Sequence, residues 1–125
     1  MGFSNYLEEK VLNENFTSKT VYVALFKTNP TDNNTGEEVS GGSYTRQVVT
    51  FGTPRQVAGK GTVSNTGDVV FPLATAEWGT IAHVAIFDAP TAGNLLSFKE
   101  NTNPRAVQVS DRLRFLTGEL SIDLD

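Results

Sequence analysis

His83 is the only histidine among the 125 residues. A lone imidazole can serve as a general base or as one ligand of a metal. Metal binding needs further ligands within reach, and no H-x-H, C-x-x-C or HExxH spacing occurs. The chain has no cysteine, hence no thiolate site and no disulfide framework. Its fourteen acids make some pair in space inevitable. None lies in a frame that would preorganise acid–base chemistry, and Asp68, Glu77 and Asp88 stand at the ends of expected strands. Gly59-Lys60-Gly61-Thr62 has the flavour of a phosphate loop, but Pro54 replaces its first glycine and Gly61 its magnesium-binding hydroxyl. Asp32-Asn33-Asn34 lacks the spaced acids and closing glutamate of a calcium loop. Asn15-Phe16-Thr17 and Asn33-Asn34-Thr35 match the glycosylation pattern by composition alone. Trp78, Tyr44 and Phe51 would suit a sugar-binding groove, but core positions explain them better. The expectation is no catalytic residue, no metal site and no cofactor, with His83 held by one buried hydrogen bond.

The elements around these residues are almost all β. Trp78 to Ala89 reads as a strand buried on both faces, with Ile81, His83, Ala85 and Phe87 on one side and Ala82, Val84 and Ile86 on the other. Further strands are expected over Thr20–Lys27, Tyr44–Phe51, Thr62–Pro72, Leu95–Lys99, Ala106–Ser110, Arg112–Leu116 and Glu119–Leu124. Ala58 to Gly61 reads as a hairpin tip or a flexible loop, and Thr117-Gly118 as the turn between the last two strands. One helix opens the chain, capped by Asn5 in a box with Glu8 or by Ser4. Its apolar stripe is Phe3, Leu7 and Val11, widened by Tyr6 and Leu12. The fold class is therefore all-β: an antiparallel β-sandwich, jelly-roll-like, of seven to nine strands with one short N-terminal α-helix. The expected organisation is one domain over 1–125, with a helical arm at 1–16 and a β-domain at 20–125.

Composition narrows the partners. The net charge is −4, and its basic residues are scattered apart from Arg112 and Arg114 on one strand face, which speaks against nucleic acid. No apolar run approaches the ~20 residues of a membrane span, and Met1-Gly2-Phe3-Ser4 lacks the basic start of a signal peptide. No heptad or internal repeat supplies a fibre shaft.

A resemblance adds to this. Gly2 to Glu8, Val21 to Phe26, Glu38 to Arg46, Phe71-Pro72 with Ala74 to Gly79, and Phe87 to Ala89 with Gly93 to Leu96 together are similar to a family of small tailed-phage structural proteins often labelled tail fibre protein. The resemblance implies a virion component with no catalytic residues. A compact acidic β-domain with an amphipathic arm suits a capsid decoration (cement) protein on the virion surface, a homotrimer bound to the major capsid protein or another virion structural protein. The alternatives are a tail-fibre or tail-tip module for host attachment and, from another class, a carbohydrate-active jelly-roll enzyme. The expected partner-binding residues are Phe3, Tyr6, Leu7 and Val11 on the helix and Glu37, Glu38 and Val39 in the long loop from Thr28 to Gly42. No membrane insertion is expected.

Overall fold

The computed structural model describes residues 1–125. Helix α1 (Asn5–Leu12) runs into a π-helical turn (Asn13–Thr17). Nine strands follow: β1 (Val21–Phe26), β2 (Gln47–Val49), β3 (Arg55–Val57), β4 (Lys60–Ser64), β5 (Val69–Val70), β6 (Gly79–Phe87), β7 (Leu95–Val107), β8 (Arg114–Phe115) and β9 (Ser121–Leu124). The pairs β1–β6, β3–β4, β4–β9 and β6–β7 are antiparallel, consistent with the all-β sandwich class and its single short helix. Contacts group the residues into two compact units, each discontinuous in sequence. One comprises Met1–Thr20, Val49–Val69 and Phe115–Asp125, the other Val21–Val48 and Val70–Arg114.

The second unit is built on a sheet of order β2-β1-β6-β7. Strand β6 is central, as its two-sided apolar pattern requires. It pairs with β1 so that Leu25 faces Val84 and Phe26 faces His83. Ala24, Phe26, Ala85 and Phe87 form a buried cluster with Leu95 and Phe98 packed against it, and the rings of Phe26 and Phe87 stack at 5.9 Å. Tyr44, Phe71 and Trp78 form a second aromatic group. There the Trp78 indole donates to the Gly42 carbonyl at 2.8 Å. A Cβ on Gly42 would stand 2.9 Å from that indole nitrogen, so only glycine admits the ring. These aromatics are core, not a groove.

Strand β7 differs from expectation. The sequence suggests two strands, but one runs unbroken for 13 residues. Two register shifts against β6 keep it in step, and Pro104 is tolerated because β7 lies at the sheet edge.

The first unit holds a sheet of order β3-β4-β9. The expected hairpin tip is real: Ala58 and Gly59 join β3 to β4 with φ of 52° and 80°, the geometry of a two-residue type I′ turn. The turn at Thr117-Gly118 also forms, closed by Glu119 N–H to Leu116 O at 3.0 Å. The strands flanking it do not pair with each other, however: β8 pairs with β5 and β9 with β4. The physical reason is Asn65, which is buried. Its side-chain oxygen accepts from Gly118 N (3.0 Å) and Leu120 N (2.9 Å), while its amide donates to Gly67 O (2.8 Å) and Leu116 O (3.0 Å). All four hydrogen-bonding positions of the amide group are used, and they direct the chain away from a plain hairpin.

Candidate partner-binding surface

Helix α1 begins at Ser4, whose hydroxyl accepts from Leu7 N at 3.2 Å. Ser4, and not Asn5, is therefore the cap, and Glu8 is free of the capping box. Glu8 instead turns inward and is only 2% exposed. Its carboxylate accepts from Gly61 N at 3.1 Å and from the Gln56 amide at 3.2 Å. The same Gln56 amide reaches Glu9 at 2.9 Å, while its Oε1 is buried without a partner. Gly61 is the seat of the helix: a Cβ there would come within 2.8 Å of Glu8 Cβ and 3.3 Å of Leu12 Cδ1.

Glu8, Leu12 and Phe16 form the inward face, spaced by four residues. Phe16 closes it edge-on against Phe51 at 5.9 Å. The side expected to be the apolar stripe points elsewhere. Phe3, Tyr6 (73% exposed) and Leu7 face outward, and Val11 is half-buried. The reason lies in the first turn. Phe3 precedes the cap, where a hydrophobic staple would need an apolar residue at Glu8; Glu8 is committed to β4. Tyr6, Glu9, Lys10 and Asn13 then line an open cleft of about 290 Å³ with Thr53 and Pro54.

The long loop from Thr28 to Gly42 is anchored to its own sheet. Lys27 N donates to Glu37 O at 2.8 Å and Val39 N to Leu25 O at 3.0 Å. Glu37 is exposed and meets Lys27 at 3.4 Å, whereas Val39 is buried. Glu38 is the hub of a polar cluster. Arg46 grips its carboxylate with Nε (2.9 Å) and Nη2 (2.8 Å), and the Tyr44 hydroxyl donates to it at 2.5 Å. The other guanidinium nitrogen reaches Ala89 O (2.9 Å) and Ala92 O (2.8 Å), and the group lies 3.9 Å over the Phe87 ring. Burial, and then the bond to Glu38, push the Tyr44 phenol far above its ordinary range; its bond from Leu25 N and the nearby Arg46 charge oppose this. The bonds to Glu38 raise Arg46 further. The cluster clamps the loop to the turn after β6, with every guanidinium nitrogen bonded inside the fold.

Of the seven residues singled out from sequence, Phe3, Tyr6, Leu7 and Glu37 present themselves outward, Val11 only in part, and Glu38 and Val39 serve the chain's own packing. His83 is half-buried with Nδ1 shielded and unpartnered, so the hydrogen bond expected for it is not made there. Asp68 accepts from the Thr117 amide and hydroxyl, and Asp88 from the Asn94 amide and side chain; both are turn-forming acids. No three acids or histidines converge as a metal cluster would require, and no helix is long and apolar enough to cross a membrane. Sequence reasoning missed the inward turn of Glu8 and the role of Asn65; the one signal was Gly61, opposite the helix.

What remains is an antiparallel β-protein with an outward apolar helix face. No curated protein matches it. The sequence model of the family described as Podophage GP4 fiber I protein gp80 matches residues 2–123, nearly the whole chain. The chain belongs to that family and is a bacteriophage virion structural protein.

Proposed function

We propose that the protein is a tail-fibre component that docks onto another virion structural protein through the outward face of α1. The supporting observation is that Tyr6 and Leu7 on the helix, and Phe3 just before it, are exposed, while Glu8 and Leu12, continued by Phe16, fix its inward side. A helix seated this firmly does not need those side chains for its own fold, and contiguous exposed apolar residues mark association surfaces. Membership in a fibre family favours the tail over the capsid decoration that a compact acidic β-domain suggests. In either position the role is structural, exerted by burying surface against neighbours.

The test is incorporation. Tyr6→Ser with Leu7→Asp is expected to leave the thermal midpoint within about 3 °C of wild type, since surface changes usually stay within ±0.5 kcal/mol, and to abolish recovery in purified virions. Wild-type recovery of that variant would refute the docking face. Labelled antibody on intact virions then locates the protein: decoration of the tail supports the fibre reading, whereas decoration of the head restores the cement reading.

A further inference from the structure

The ribbon of β5 and β8 has an outer face that the fold does not use. Phe71 N donates to Leu113 O and Ala74 N to Asp111 O, both at 2.9 Å. This register sets Val70 opposite Arg114 and Pro72-Leu73 opposite Arg112. Phe71 and Leu113 are buried, so the alternating neighbours point outward. Arg112 and Arg114 are exposed, and neither takes part in an ion pair of the chain. Val70 and Leu73 are exposed between them.

Arg114 lies on β8 and Arg112 on the extended segment leading into it, so in extended chain their Cα atoms stand about 6–7 Å apart. On a chain of net charge −4, the two guanidiniums call for carboxylates of the same period. The sequence contains a single pair of acids so spaced, Asp123 and Asp125, on and just after β9. Both are exposed, with Leu124 half-buried between them. Strand β9 is the edge of its sheet. Asp123 uses only Oδ1 within the chain, accepting from Thr62 at 3.2 Å.

We propose that Arg112 and Arg114 of one copy receive Asp123 and Asp125 of a second copy, with Val70 and Leu73 covered by the incoming strand. Guanidinium and carboxylate pair through two parallel hydrogen bonds. The donor and acceptor patches differ, so the contact is head-to-tail, and it closes into a ring when the rotation permits. This surface is separate from the α1 face and does not rest on the fibre reading.

Light scattering on the purified full chain tests it. An oligomer is expected at about 50 mM salt and its dissociation at about 0.5 M, because exposed ion pairs are screened. R112E/R114E and D123R/D125R should each be folded monomers, and their equimolar mixture should recover the wild-type mass. The neutral variants R112Q/R114Q and D123N/D125N, which tax folding less, should each weaken association at least about tenfold. A monomeric wild type at low salt, an R112Q/R114Q variant that associates normally, or charge-reversed partners that fail to recombine would overturn the proposal. So would R112E/R114E losing retention of an oligonucleotide with its mass unchanged, which would make the face a nucleic-acid surface.

Discussion

Asn65 carries more of the fold than its single side chain suggests. Replacing it by Ala takes the partners of Leu120 N and Gly67 O, while Gly118 N keeps Asn65 O and Leu116 O keeps Glu119 N; a buried group left unsatisfied costs about 1–3 kcal/mol. We expect Asn65→Ala to lower stability by about 1–3 kcal/mol, measured as a urea midpoint. Ala58 is the opposite case. It occupies φ 52°, where a Cβ costs roughly 1–2 kcal/mol. Ala58→Asn creates the Asn-Gly pair that a type I′ turn prefers, and stability should rise by about 0.5–1 kcal/mol. Tyr44 gives a pH signature. Its folded-state pKa is raised, so above about pH 10 the unfolded chain releases a proton that the folded chain keeps. Stability is then level up to the unfolded value and falls above it by at most about 1.4 kcal/mol per pH unit. Tyr44→Phe should remove that fall, at the cost of a lower plateau. Thermal midpoints from pH 8 to 11 measure both arms.

Among the elements, α1 shows how much was legible in the sequence and how much was not. Its existence followed from capping residues and periodicity, because those are local signals. Which face turned inward did not. Phe3, Leu7 and Val11 make a better apolar stripe than Glu8, Leu12 and Phe16, yet the latter dock. The decisive partner is Gly61, some fifty residues away, whose bare backbone offers Glu8 an N–H and leaves room for Leu12. Non-local hydrogen bonding of this kind leaves no trace in a helical period. Gly61→Ala should therefore act on the helix: the added methyl meets Glu8 at 2.8 Å, and overpacking costs about 1–3 kcal/mol. Hydrogen exchange should accelerate in residues 5–17 ahead of β6 if the helix loosens first. Strand β6 was the clearest element in advance, since nine mostly apolar residues admit no exposed face. The long β7 was hidden by its own polarity: Lys99 to Arg105 looks like a loop, and only pairing with β6 holds it as a strand.

At the scale of the whole molecule, the fibre family makes the protein a structural component of the virion. The two surfaces proposed for association differ chemically, one apolar on α1 and one cationic on the β5–β8 ribbon. Loss of virion incorporation on changing Leu7, with self-association intact, would separate them. The discontinuity of the two units carries a further consequence, for timing. Strand β4 pairs with β9, Gly61 meeting Leu124, so the three-stranded sheet waits for residues made more than sixty positions later. At roughly 5–20 residues per second of synthesis, β4 is made about 3–12 s before the strand that pairs its edge. Throughout that interval the nascent chain offers β4 to any passing strand, and neighbouring polypeptides on one message carry the same complement. Strand exchange between simultaneously translated copies is the misassembly this topology invites, and rapid release of the finished chain is its natural safeguard.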